Sequence, residues 1–221
     1  MTRTIALLLL ALALACSSAE AAGLQVVPDE DVDLTAGWNA YRANDQARAL
    51  AHYRKAAERN NRVAQFNLAV MLLGGEGVVA DPVAGVGWLR KSAERGFSRA
   101  QFALGLLYER GEYVTKSQDD ATLWFRKAAD QNHLEAQVAL ATQYFLGRGA
   151  PLDFKQAAQW YERAADRGDE ASAYIVASLY EKGEGVEQDY PRAYYYYSLA
   201  ASGGEPAALM KAREMRDKLP R

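Results

Sequence analysis

The sequence predicts an all-α chain, a right-handed α-solenoid of helix–turn–helix repeats, and three observations carry that prediction. The chain aligns with itself at a period of 36 residues, without a gap, over 63–98, 99–134, 135–170 and 171–206. Within each period, small and apolar residues recur at helical spacing. Residues that stop and start helices recur at the two places where a helical pair would turn. Hydrophobic residues make up 50% of the composition and alanine is abundant among them, as closely packed helices favour.

The chain opens with a leader. Arg3 supplies a positive start, and residues 5–15 form an uninterrupted apolar run. That run is too short to span a bilayer and suits an export signal. Two exits are open. Ala19-Glu20-Ala21 permits cleavage after Ala21 or Ala22, which makes 1–21 a signal peptide. Leu12-Ala13-Leu14-Ala15-Cys16 is similar to a lipobox, in which Cys16 would be lipidated and become the new N-terminus. The expected location is the periplasm, with the outer membrane reached only through a lipid anchor on Cys16. Because Cys16 is the sole cysteine, the exported part holds no disulfide and relies on packing. Residues 22–33 read as an acidic linker.

A short repeat follows over 34–62. Trp38 to Tyr41 matches the end of a first helix, Asn44 takes the turn, and Tyr53-Arg54-Lys55-Ala56-Ala57-Glu58-Arg59 matches the second helix of later repeats. Each 36-residue repeat then has a helix A with columns Ala64/Ala100/Ala136/Ser172, Leu68/Leu104/Leu140/Val176 and Leu72/Tyr108/Tyr144/Tyr180. Gly75, Gly111, Gly147 and Gly183 end it with left-handed backbone. Helix B starts at the N-caps Asp81, Ser117, Asp153 and Asp189, with Pro82 at a first helical position. It carries Gly85/Ala121/Ala157/Ala193 for a close crossing and a bulky column of Trp88/Trp124/Trp160/Tyr196. Paired small residues close it, and Gly96, Asn132, Gly168 and Gly204 turn the chain into the next repeat. Residues 207–221 read as a capping helix, with Ala208, Ala212, Met215 and Leu219 on one face and Lys211, Arg213, Arg216 and Lys218 wet.

These columns resemble the Sel1-like repeat, a subfamily of tetratricopeptide-type repeats. Ala171 to Gly204 shows most of the pattern, including Gly183-Glu184-Gly185-Val186 and Asp189. The third repeat departs from it, with Tyr113 at the second glycine and Ser117 at the aspartate. The resemblance implies a scaffold whose A helices line a concave face. Exported bacterial members often serve envelope assemblies, so the implied partner is another envelope protein or peptide segment. Some cysteine-rich members have been linked to β-lactam binding or hydrolysis; they carry a cysteine pair per repeat, and this chain carries none.

No constellation for chemistry emerges from the residues. His52 and His133 lie about two repeats apart and read as surface residues, and Gly74-Gly75-Glu76-Gly77 lacks the Lys-Ser/Thr of a phosphate loop. The expectation is a non-enzymatic chain without metal or cofactor. With 26 basic and 28 acidic residues, nothing attracts nucleic acid. Placing the Leu, Gly/Ala and Tyr columns of helix A inward leaves three groove columns: Phe66/Phe102/Val138/Tyr174, Val70/Leu106/Thr142/Ser178 and Leu73/Glu109/Phe145/Glu181. They are more apolar than a solvated face requires and read either as a groove for a partner segment or as residues covered by the tight pitch. The run Tyr194-Tyr195-Tyr196-Tyr197 places Tyr194 and Tyr196 in the core. It leaves Tyr195 and Tyr197 either to pack on the last helix or to form an aromatic patch, from which a glycan binder is the alternative function.

Overall fold

In the computed structural model, residues 31–219 are described; the leader, Cys16 and most of the expected linker lie outside them. Among these residues there are eleven α-helices, one 3₁₀ turn and no strands. They fall into two compact units, one ending at Thr115 and one beginning at Lys116.

The first unit holds α1 (Val32–Arg42), α2 (Gln46–Glu58), α3 (Arg62–Gly74), α4 (Pro82–Glu94) and α5 (Ser98–Arg110). α1, α3 and α5 are A helices; α2 and α4 are B helices. The first helix starts earlier than the linker boundary expected, because Asp31 caps it and accepts bonds from the amides of Asp33 and Leu34. The second unit holds α6 (Gln118–Ala129), α7 (Leu134–Leu146), α8 (Phe154–Ala165), α9 (Glu170–Lys182), α10 (Tyr190–Ala200) and α11 (Pro206–Asp217), with the 3₁₀ turn at Ala201–Gly203. Here α6, α8 and α10 are B helices, α7 and α9 are A helices, and α11 stands as a lone A helix.

Local chemistry sets the boundaries. Gly75, Gly111, Gly147 and Gly183 end the long A helices with φ between 63 and 74°. Asp81, Asp153 and Asp189 accept bonds of 2.9–3.0 Å from the third amide of α4, α8 and α10, and Ser117 does so for α6 at 3.2 Å. Each such cap contributes about 1 kcal/mol. The second glycine of the loop serves a different need. A Cβ on Gly77 would lie 2.7 Å from the backbone of Gln46, and one on Gly149 or Gly185 would collide with the backbone of Gln118 or Phe154. The loop of one repeat therefore rests directly on the first turn of the preceding B helix. Tyr113 occupies the same step in the third repeat and still adopts φ 58°.

Packing follows the sequence columns. Leu68, Leu104, Leu140 and Val176 are fully buried, as are Ala64, Ala100, Ala136 and Ser172. Trp124, Trp160 and Tyr196 are buried, and Trp88 is half-buried. A polar column joins the repeats. Gln65 and Gln101 donate to the carbonyls of Ala57 and Ala93 at 3.1 and 3.0 Å, and Gln137 reaches Ala129. Each adds a second bond to a carbonyl in the last turn of a B helix, which already accepts the amide of Asn60, Gly96 or Asn132. On α11, Ala208, Ala212 and Met215 are buried; Leu219, expected on the same helix face, lies beyond the helix end at Asp217 and is half-buried. Lys211 is not purely solvated: its ammonium lies 3.0 Å from Glu181 and 3.1 Å from Glu214.

Candidate partner-binding face

The rotation of the A helices differs from the one expected. In the first unit Phe66 is 2% exposed, Val70 6%, Leu73 7% and Phe102 8%. These four are packing residues and not open anchors. Leu106 and Glu109 are half-buried, as are Val138, Phe145 and Tyr174 in the second unit. The physical reason is packing: in the second unit two of the three expected columns turn toward the B helix of their own repeat, and in the first Phe66 packs edge-on against Phe97 at 5.3 Å. The Tyr174 ring meets Tyr197 edge-on at 5.1 Å. Thr142, in the remaining column, stays half-buried at the edge of the open face, with its Oγ1 2.9 Å from the Tyr161 hydroxyl. Phe145 packs edge-on against Phe154 and Tyr161 at 5.4 and 6.3 Å. Glu181 accepts a 2.7 Å bond from Tyr197. A Cβ on Gly85 would stand 2.7 Å from the Leu73 side chain, so Leu73 fills the space that glycine leaves.

In the second unit Tyr161 and Tyr197 receive these side chains, as members of a second bulky B column, Tyr53, Leu89, Phe125, Tyr161 and Tyr197, all buried. It lies one residue after the tryptophan column and recurs at the same period, so its signal was present in the sequence. Two adjacent bulky positions sit about 100° apart on a helix, which lets one B helix bury two faces. The tyrosine run resolves accordingly. Tyr196 and Tyr197 are core, Tyr194 is half-buried, and Tyr195 is 56% exposed. Burial and the neighbouring Glu181 push the Tyr197 hydroxyl pKa up.

The face of the A helices that stays open lies about one residue further round. On α7 it comprises Glu135, Ala139, Thr142 and Leu146; on α9, Ala171, Ile175, Ser178 and Lys182. Each set follows i, i+4, i+7, i+11, a single helical stripe. In the first unit the same stripe runs through Val63, Asn67, Val70 and Gly74 on α3, and Arg99, Ala103, Leu106 and Arg110 on α5; Val70 and Ala103 form its buried floor. Of the nine expected groove residues, Val70 and Leu106 belong to this stripe. Of its sixteen positions four are charged, and the centre of the second unit's stripe carries no charge.

The B helices are arranged differently. Lys91 and Lys127 hold their ammonium groups 4.0 and 4.1 Å from the ring centres of Trp88 and Trp124, and Arg163 lies 4.4 Å from Trp160. Arg90 donates to the Tyr108 hydroxyl at 3.0 Å, and Arg126 donates to Tyr144. In the next repeat Glu162 replaces the arginine and accepts from Tyr180, while Arg192 supplies the cation to the same hydroxyl. Aromatic rings and hydroxyls thus already engage these B-helix cations.

The histidines are not free surface residues. His52 Nδ1 lies 2.8 Å from Asp33, whose other oxygen is 2.8 Å from Arg59; Arg59 also reaches Asp31 at 2.6 Å. The bond with His52, then that with Arg59, lowers the Asp33 carboxyl pKa. This cluster fastens the start of α1 onto α2. His133 Nδ1 stands 3.1 Å from Glu135, and chiefly through that bond the Glu135 pKa falls to about 2. Among the described residues no group of three or more His, Cys, Asp or Glu is placed to hold a metal ion. Nor is any described helix long and apolar enough to cross a membrane.

Comparison with known proteins places this architecture. The Sel1 repeat model matches residues 37–61, 62–97, 98–133, 134–169 and 171–205. The chain is similar to a Sel1 repeat protein from Oxalobacter formigenes, with 34% identity, 80% of this chain and 73% of that one covered, and a TM-score of 0.74. It is also similar to a protective antigen of uropathogenic Escherichia coli strains that displays an SLR fold, with 30% identity and a TM-score of 0.75. That match covers 83% of this chain and 40% of the antigen. A search of curated proteins gave no significant match. The all-helical pairs and these likenesses define a Sel1 α-solenoid. Sel1 repeat proteins are in general protein-interaction scaffolds, and five matched segments covering most of its length show that this chain belongs to the Sel1 repeat family.

Proposed function

We propose that this chain is a non-enzymatic scaffold of the bacterial cell envelope that holds a segment of a partner protein along the open face of its A helices. The observation that carries the reading is the stripe in the second unit, where Ala139, Thr142, Ile175 and Ser178 form a small, uncharged surface between Glu135 and Lys182. Such a surface accepts an extended or helical segment at low desolvation cost, and apolar contacts across it supply affinity. The envelope part rests on the leader at residues 5–15 and on Cys16.

A photoreactive amino acid at Ile175, compared with one at the exposed Gln159 on α8, tests the face in intact cells. The expected result is a discrete adduct with another envelope protein from position 175 and none from 159. Equal labelling at both positions, or none at 175, would overturn the assignment. Mass measurement of the mature N-terminus separates cleavage after Ala21 or Ala22 from acylation of Cys16; an uncleaved chain would remove the envelope assignment.

A further inference from the structure

Between the end of α2 and the second half of α4, the first unit holds a cavity of about 520 Å³ lined by Glu58, Asn60, Trp88, Lys91, Glu94 and Arg95. That volume falls among small-ligand sites, which run from about 300 to 1,000 Å³. Trp88 is half-buried here, whereas Trp124 and Trp160 of the same column are buried. The difference goes with a change in helix A: Leu72 stands where the later repeats have Tyr108, Tyr144 and Tyr180. In the last repeat that tyrosine stacks on Tyr196 with ring centres 6.1 Å apart. Among the described residues no ring packs on Trp88. The rest of the lining is polar and balanced. Glu58 and Glu94 are exposed and make no hydrogen bond or ion pair among the described residues. Arg95 donates to Asn60 Oδ1 at 2.5 Å, which ties the two walls together and leaves the Asn60 Nδ2 as a donor. Lys91 rests its ammonium 4.0 Å from the Trp88 ring centre. Such a contact at an exposed position is weak, so the lysine can swing off the ring when a ligand arrives.

We infer that this cavity is a binding site for a neutral sugar. A pyranose ring lies flat on Trp88 in place of the Lys91 ammonium, and its hydroxyls donate to Glu58 and Glu94 and accept from Asn60 and Lys91. A cationic guest would meet Lys91 and Arg95, and an anionic one Glu58 and Glu94. An apolar guest would strip water from all four charges. A neutral polyhydroxylated ring, with a donor and an acceptor on each hydroxyl, satisfies every group and brings its C–H face to the indole. The site belongs to B helices and does not rest on the scaffold reading of the A-helix stripe.

Isothermal titration of the full chain with cellotetraose, maltotetraose and chitotetraose tests this, with tetragalacturonate and N-acetylarginine amide as charged comparisons. At least one neutral tetrasaccharide should bind at one site per chain, with an affinity that added salt leaves unchanged. Trp88→Ala should weaken that binding about tenfold, and Trp88→Phe, which keeps a ring, by less than about threefold. Should Trp88→Ala fail to fold, Glu94→Ala at its exposed position should still cost about threefold. Tyr195→Ala removes the exposed aromatic ring of α10 and should change nothing. Three outcomes overturn the site: no binding of any neutral tetrasaccharide, tighter binding of a charged comparison, or a loss from Tyr195→Ala equal to that from Trp88→Ala. None of them touches the Ile175 crosslink, which tests the A-helix face by itself.

Discussion

Gly147 and Gly149 lie two residues apart in one loop, share φ 63° and differ in what a methyl group would meet. A Cβ on Gly147 would stand 3.3 Å from the Leu152 Cβ, a tight contact relieved by a shift of a few tenths of an ångström. Gly147→Ala therefore carries little beyond the cost of left-handed backbone, about 1–2 kcal/mol. A Cβ on Gly149 would run into the Gln118 carbonyl and Thr122 Oγ1, where Thr122 donates to Gln118 at 2.9 Å. Backbone cannot swing aside as a long side chain can, so overpacking adds about 1–3 kcal/mol. Gly149→Ala should lose about 2–5 kcal/mol in total, against about 1–2 for Gly147→Ala. Urea denaturation followed by circular dichroism measures both, and in a chain of this size each kcal/mol moves Tm by about 2–4 °C. Equal losses in the two variants would refute the direct seating of the loop on the preceding B helix.

Two further outcomes follow from burial and pairing. Phe66→Ala and Phe102→Ala should each cost about 3–5 kcal/mol in denaturant titration, because both rings are core; unchanged melting would restore them to an open groove. Glu135 has a folded pKa of about 2 against an ordinary 4.5, so its contribution is present above about pH 4.5 and fades as the pH falls toward 2. Its side chain is 59% exposed, which holds the gain below about 1 kcal/mol. The Tm gap between wild type and Glu135→Gln should accordingly close between pH 5 and pH 2, and a gap independent of pH would exclude the pairing with His133.

Helix boundaries and repeat register were legible in the sequence because they are decided locally. A glycine in left-handed backbone or an aspartate over three amides acts within a few residues, and the 36-residue period shows each of them several times over. Rotation of the A helix was not legible. Residues 66 and 67 differ by about 100° around the axis, and which one faces a B helix depends on side chains some 20 residues away. The column of Tyr53, Leu89, Phe125, Tyr161 and Tyr197 held the missing information. Read beside the tryptophans as a second buried face, it would have turned Phe145 and Tyr174 inward. The groove columns looked apolar for that reason. The clasp of His52, Asp33 and Arg59 was hidden because its members belong to a stretch that reads as linker and to the far end of the next helix.

The contacts that join one repeat to the next are short in sequence. Gln65 reaches back 8 residues, Arg90 forward 18, and Arg95 back 35 to Asn60. Each lies within the span of a single period. A polypeptide growing from one end can thus make each of these contacts as soon as the next repeat arrives, closing a loop of at most 35 residues. Within each unit, assembly and unravelling become zipper-like, and damage to one layer is felt first by the layer beside it.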